Sequence, residues 1–165
     1  MISVIVPTFN RPALVLRCLQ HLIRQDIPAS LFEIIIVHDG PGLASREAVE
    51  CFLSSSASIH SSVQYYEQPF RAGPAAARNF GCRMAKGHLI AFTDDDCLPQ
   101  PGWLKAFLEA AEKNITEEIA FTGRLQVPVS SLPTDHEKNT QRLETSTFIT
   151  ANCCCTKKAF GKVRG

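Results

Sequence analysis

The sequence has little of what marks a membrane-spanning, disordered or strongly charged chain. Its 17 Lys and Arg residues nearly balance 16 Asp and Glu residues, for a net charge of +1. This balance argues against a protein that binds nucleic acid through its overall charge. No apolar run approaches the roughly 20 residues that a membrane-spanning helix needs. The first apolar stretch has no basic leader and stops at Pro7, so we expect no signal peptide. What remains is ordinary globular composition.

Familiar cysteine, histidine and serine signatures are also missing. The seven cysteines include no Cys-x-x-Cys pair, and the adjacent Cys153, Cys154 and Cys155 would alternate between two faces of a strand, which does not suit a zinc site. There is no P-loop, G-x-S-x-G elbow or H-E-x-x-H segment. We therefore expect the cysteines to be reduced packing residues, in a reducing compartment such as the cytoplasm.

What is present is a regular alternation of apolar strands and amphipathic helices. The predicted strands are residues 3–8, 33–37, 63–68, 88–92, 119–127 and 147–155, and residues 130–144 are interpreted as a polar, mobile loop. Residues 1–165 show no internal boundary and are treated as a single domain. The alternation predicts an α/β fold with a Rossmann-like, mainly parallel sheet flanked by helices.

Polar residues follow three of the predicted strands, at 7–10, 38–40 and 94–96. Sheets of this kind bind ligands at the carboxyl ends of their strands. The sequence therefore predicts a ligand site where these three segments meet.

The strongest local signal is the acidic run Asp94, Asp95 and Asp96, directly after a buried strand. Three adjacent carboxylates repel one another and resist burial, so a purely structural role is disfavoured. A hard cation such as Mg²⁺ or Mn²⁺ would relieve the repulsion, and such ions usually share a diphosphate. The alternative is a solvated acidic loop.

A second signal is a helix start made of Gly73 and Pro74, with Arg78 one turn later. Backbone N–H groups at a helix start attract phosphate, and Arg adds a fixed fork of donors. The alternative is an Ala-rich core helix with one surface Arg.

A third signal is Asp39, at the end of the second strand. Its carboxylate can accept an N–H from a nucleobase, or Asp39 can simply be a turn residue before Gly40.

Taken in order, these segments resemble the family-2 glycosyltransferases, which have the nucleotide-sugar-binding fold called GT-A. The resemblance is carried by residues 3–11, 35–40, 73–81, 92–104 and 150–160. Each segment is weak alone, but five in the family order are specific and cover nearly the whole chain. One departure is His38, where the family usually has an acidic residue; we expect it to change the wall of the pocket without abolishing binding.

The resemblance implies an inverting enzyme that transfers a sugar from a nucleotide-diphosphate donor to a hydroxyl of a glycan, polysaccharide or lipid-linked acceptor. It implies a DxD motif in which Asp96 and Asp94 hold Mn²⁺ or Mg²⁺, while Asp39 contacts the base. The further donor-binding residues that it implies are Pro7, Thr8, Asn10, Arg11, Gly73, Arg78 and Asp95.

The resemblance places the general base beyond Gly165, so we expect a C-terminally truncated domain and assign no catalytic residue. It also implies a role in cell-wall or polysaccharide synthesis in the cytoplasm, with peripheral membrane association where the acceptor is lipid-linked. Three alternatives stay open: a non-catalytic nucleotide-sugar-binding domain, a nucleotidyltransferase and a dehydrogenase. The missing G-x-G-x-x-G after the first strand weighs against the last.

Overall fold

A computed structural model of the protein describes residues 1–55, 62–114, 118–129, 131, 134–146 and 148–163. The strands and helices are, in chain order, β1 (Ile2–Thr8), α1 (Pro12–Leu22), β2 (Phe32–His38), α2 (Leu43–Ser54), β3 (Val63–Glu67), α3 (Pro74–Met84), β4 (Leu89–Phe92), α4 (Trp103–Glu112), β5 (Ala120–Thr122), α5 (Asp135–Gln141), β6 (Cys153–Thr156) and α6 (Lys157–Lys162). Within the described residues, no helix is both long enough and apolar enough to cross a membrane.

The strands form one sheet in the order β3-β2-β1-β4-β6-β5. The first four are parallel, and β6 runs antiparallel to both β4 and β5. The prediction of a mainly parallel α/β sheet is therefore confirmed. Because β2, β1 and β4 are neighbours, their carboxyl ends lie side by side, as the sequence predicted for the polar segments that follow them.

Two apolar layers cover the sheet, because alternate residues of a strand face opposite sides. Val4 and Val6 of β1 pack with α1, α2 and α4, whereas Ile5 packs on the other face with residues of α3. All of β1 and β2 is buried, as expected for parallel strands covered by helices on both faces.

The last two strands are much shorter than predicted. The predicted strand 119–127 pairs only over Ala120–Thr122, and the predicted strand 147–155 is Cys153–Thr156; Thr147 lies outside the described residues. The ladder stops where Asn152 takes over the hydrogen bonding: its carbonyl accepts the Gly123 N–H at 3.0 Å and its side-chain amide donates to the Arg124 carbonyl at 2.7 Å.

The prediction of a mobile loop over 130–144 is wrong for most of that stretch. Residues Asp135–Gln141 form α5, and a 3₁₀ turn follows at Arg142–Thr145; Ser130 and residues 132–133 lie outside the described residues. A capping box starts α5, since the Thr134 hydroxyl accepts the Glu137 N–H while the Glu137 carboxylate accepts the Thr134 N–H. Such a box satisfies two otherwise unpaired backbone donors.

All seven cysteines are free, as predicted, but not all of them pack in the core. Five are buried, Cys97 is half-buried, and Cys51 is exposed on α2, so the packing interpretation is wrong for Cys51. The run in β6 divides between the two layers: Cys154 joins one, and Cys153 and Cys155 join the other. Burial raises the pKa of the Cys153 thiol to about 12, which keeps it protonated and unreactive.

Candidate functional site

A cleft of about 310 Å³ opens at the carboxyl ends of β1, β2 and β4. This volume lies within the range of small-molecule sites. Its lining consists of Pro7, Thr8, Phe9, Arg11, Asp39, Arg71, Pro74, Arg78, Asp94, Asp95 and Asp96. Every site residue predicted from the sequence belongs to this lining except Asn10 and Gly73, which lie next to it in the chain.

Asp95 is the buried member of the acidic run, at 4% exposure. Its carboxylate accepts the Thr8 hydroxyl at 2.7 Å and the Arg11 guanidinium at 3.2 Å. Burial raises the pKa of Asp95 above its ordinary value, although the hydrogen bond from Thr8 and the charge of Arg11 both oppose that rise. Asp95 therefore joins the end of β1 to the segment after β4.

Asp94 and Asp96 are the accessible members of the run, with side chains 32% and 54% exposed. Asp94 pairs with Arg78 at 2.5 Å, and Asp96 lies 3.5 Å from Arg11. The guanidinium groups thus neutralise these carboxylates across the cleft. The Nε atom of Arg78 is buried and has no hydrogen-bond partner among the residues that the structure describes, so Asp94 does not fully satisfy this arginine.

The two accessible carboxylates fit a hard divalent cation only in part. In the described ranges, no group of three or more His, Cys, Asp or Glu side chains is arranged to hold a metal ion. Carboxylate oxygens suit Mg²⁺ and Mn²⁺, and such ions take further oxygens from water and phosphate. The donor set therefore fits a cation that a bound diphosphate shares, and does not provide a closed protein cage.

Asp39 organises the loop before α3. Its carboxylate, at 4% exposure, accepts the Ala72 N–H at 2.7 Å and the Gly73 N–H at 2.9 Å. Gly73 has a backbone φ of +92°, which residues with a side chain rarely adopt. It precedes Pro74, the first residue of α3. Asp39 therefore holds the start of α3 at the cleft, and its predicted contact with a base stays a prediction.

Phe9 and Arg71 line the cleft, and the sequence reasoning missed both. The Arg71 guanidinium carbon lies 4.3 Å from the centre of the Phe9 ring, a cation–π contact. Phe9 lies between the predicted site residues Thr8 and Asn10, and Arg71 lies two residues before Gly73. Their contact depends on the fold, which brings together two loops that are distant in the sequence. Together they give one side of the cleft a flat, partly apolar wall.

His38 is not among the residues that line the cleft, and its expected effect on the pocket wall stays a prediction. Its side chain is completely buried, and its ring packs against Phe9 with 5.6 Å between the ring centres. His38 therefore lies one layer behind the wall.

Comparison with known families decides the affiliation of the chain. The model of the family described as Glycosyl transferase family 2 matches residues 3–162. The chain belongs to this family. Among curated relatives, a validoxylamine A glucosyltransferase of Streptomyces hygroscopicus is 32% identical over 111 residues, which is 67% of this chain and 25% of that protein.

Two solved structures share the fold of this chain. The mannosyltransferase PcManGT from Pyrobaculum calidifontis, in complex with GDP-Man and Mn²⁺, aligns with a TM-score of 0.78 and 22% identity over 99% of this chain and 46% of that one. TarS 1-349 of S. aureus, in complex with UDP-GlcNAc, aligns with a TM-score of 0.76 and 19% identity over 99% and 47%. This family-2 chain thus spans about half of those chains, and a quarter of the glucosyltransferase.

Proposed function

We propose that this chain is the donor-binding part of an inverting family-2 glycosyltransferase, which transfers a sugar from a nucleotide diphosphate to a hydroxyl acceptor. The observation that carries the proposal is the cleft itself, where arginines and accessible carboxylates converge at the carboxyl ends of three parallel strands. A glycan, a polysaccharide or a lipid-linked sugar is the proposed acceptor class, and the cytoplasm, with peripheral membrane association for a lipid-linked acceptor, is the proposed location.

The donor would lie across the cleft with its base at one end and its diphosphate at the other. The pair of Phe9 and Arg71 offers a flat surface for a planar base, and Asp39 lies on the same side. At the other end, Arg78 and the N-terminus of α3 at Pro74 supply positive charge for phosphate oxygens.

A divalent cation is proposed because the cleft holds too much negative charge for a diphosphate alone. Three arginines line it against four aspartates, and Arg11 and Arg78 already pair with carboxylates. Asp94 and Asp96 would hold the cation. When bound, the cation would neutralise the leaving diphosphate as a Lewis acid. The complex of PcManGT with GDP-Man and Mn²⁺ supports this proposal.

The transfer step needs a general base to deprotonate the acceptor hydroxyl, and direct displacement would then invert the anomeric carbon. We assign that role to no residue of this chain. Two described acidic residues outside the cleft have local structural tasks: Glu137 caps α5, and Glu144 accepts the Val127 N–H at 2.6 Å.

Replacing Asp96 by alanine tests the metal assignment. Nucleotide-diphosphate binding, measured by calorimetry, should lose its dependence on Mn²⁺ and weaken at least about tenfold. The fold should survive, since the lost contact with Arg11 is an exposed ion pair of small energy. Asp135→Ala is the matched control, because that side chain is 96% exposed and its ion pair is with Lys138, one turn away on the same helix. Unchanged Mn²⁺-dependent affinity in Asp96→Ala would remove the assignment.

The same binding assay separates the alternatives. A nucleotidyltransferase should bind a nucleoside triphosphate more tightly than the diphosphate. A non-catalytic binding domain should bind the donor yet never turn it over, even within the full-length protein and with acceptor present.

A further inference from the structure

The hydrogen bonds of His38 allow only one protonation state of its ring. Nδ1 lies 2.7 Å from the Gly40 carbonyl, and Nε2 lies 3.0 Å from the Asn10 backbone nitrogen. A carbonyl can only accept and a backbone N–H can only donate. Nδ1 must therefore carry the proton and Nε2 must be bare, so the ring is neutral and both of its nitrogens are satisfied.

Both partners of His38 are loop residues with unusual backbone geometry. Asn10, between β1 and α1, has a φ of +53°, and among the described non-glycine residues no other φ is positive. Gly40 has a φ of +108°. A Cβ on Gly42 would lie 2.2 Å from the His38 ring, so the turn after β2 closes on the imidazole without room for any side chain. The buried ring thus fixes two loops that approach each other from different strands.

The loop after β1 carries Phe9, which forms part of the flat wall of the cleft. Phe9 precedes Asn10 in the chain and packs on the His38 ring, and the Arg71 guanidinium lies over the Phe9 ring. Arg11, which follows Asn10, reaches Asp95. The position of Phe9 and the direction of Arg11 therefore both depend on the backbone that His38 anchors.

We propose that His38, as the neutral Nδ1–H tautomer, is a positioning residue for nucleotide binding in this cleft. It ties the loop after β1 to the turn after β2 and so sets the place of Phe9 and Arg11. A carboxylate at this position would accept the Asn10 N–H but would have no proton for the Gly40 carbonyl, so the imidazole does what an acidic residue cannot. This inference rests on the proposed donor-binding function.

Two amide substitutions separate the two bonds of the ring. The amide of His38→Asn reaches the place of Nδ1 and keeps the Gly40 contact, whereas the amide of His38→Gln reaches the place of Nε2 and keeps the Asn10 contact. Calorimetry with a nucleotide diphosphate and Mn²⁺ should show about tenfold weaker binding for His38→Asn and a smaller loss, about threefold, for His38→Gln. His21→Asn, on α1 and outside the cleft lining, should bind as the wild type does.

The ring tautomer can be read directly from the long-range ¹⁵N–¹H spectrum of the wild-type protein, with and without nucleotide. We expect a protonated Nδ1 and a bare Nε2 for His38 in both states. A protonated Nε2, or wild-type affinity in both amide variants, would overturn the inference. If His38→Asn does not fold, the affinity of His38→Gln and the spectrum decide. Failure of the wild type to bind any nucleotide would instead refute the proposed function, and the inference with it.

Discussion

Among single residues, the three consecutive aspartates differ in burial: Asp95 is buried and hydrogen-bonded within the fold, whereas Asp94 and Asp96 remain accessible. Asp95 is enclosed by Thr8 and Arg11, while Asp94 and Asp96 keep a third and a half of their side-chain surface exposed. The ion pairs of the exposed pair lie across the cleft, so a diphosphate and a cation would exchange partners with them. Arginines would turn to phosphate oxygens and carboxylates to the cation.

The buried position of Asp95 predicts a pH dependence of stability. Its folded pKa is raised from 3.8 mainly by burial, so the contribution of this carboxyl to stability is full below the unfolded pKa and is lost as the pH rises through the folded pKa. The unfolding free energy of the wild type relative to Asp95→Asn should therefore decrease as the pH rises from below 3.8 to neutrality.

Urea unfolding of both proteins over this pH series measures the effect. The hydrogen bonds that Asp95→Asn loses change the difference in unfolding free energy by an amount that varies little with pH, so the pH dependence that remains comes from the carboxyl group. A difference that grows with pH would contradict the account. It would mean that the contacts with Thr8 and Arg11 outweigh burial and lower the pKa.

The sequence predicted most members of the cleft, since strand ends and charged runs are local features. It did not predict which aspartate is buried, because that depends on Thr8 lying one strand away. The pair of Phe9 and Arg71 was missed for the same reason. The sequence pointed to His38 as a departure, but its burial depends on the turn of Gly40 and Gly42 that closes over it, which the sequence does not show.

Among secondary-structure elements, α3 packs closely against the sheet beside the cleft. This close approach depends on Gly81, where a Cβ would lie 2.6 Å from Cγ2 of Ile5 and 3.3 Å from Cγ2 of Val37. Arg78 lies about one turn earlier on the same helix and reaches Asp94. The spacing between α3 and β1 therefore sets how far Arg78 extends into the cleft.

Gly81→Ala should lower the unfolding free energy by about 1–3 kcal/mol, because the added methyl group overpacks the contact with β1. The matched control is Gly161→Ala in α6, where a Cβ would meet no atom of the described residues within 4 Å. That change should leave stability unchanged or raise it by up to about 1 kcal/mol, since alanine favours helix. Urea denaturation of the two variants makes the comparison, and equal stability of both would refute the close packing of α3.

Most elements before residue 113 were predictable from a strong apolar period, and α3 from the Gly73 and Pro74 at its start. After residue 113, the bounds of β5 and β6 and the existence of α5 were not predictable in this way. The short β5 and β6 are ended by the hydrogen bonds of Asn152, a tertiary effect that strand propensity does not contain. In α5 the signal was present as a capping box at Thr134 and Glu137, but the polar composition concealed it.

At the scale of the whole molecule, the sheet is parallel on the side that forms the cleft and antiparallel beyond β4. The parallel part has the strand order and helix layers that place three loops around the cleft. The family model matches residues 3–162, so it includes both the parallel and the antiparallel part of the sheet. The central proposal for this molecule is that the cleft binds a nucleotide diphosphate together with a divalent cation.

The most direct test is a thermal-shift titration of the wild-type protein with UDP, GDP, dTDP, ATP and NAD, each with and without Mn²⁺. At about 100 times the dissociation constant, a ligand should stabilise the protein by about 2.7 kcal/mol, a shift of several degrees. The account predicts such a shift for one of the nucleotide diphosphates, and only with Mn²⁺. A cooperatively melting protein whose transition moves with none of the diphosphates, or moves equally without Mn²⁺, would contradict it.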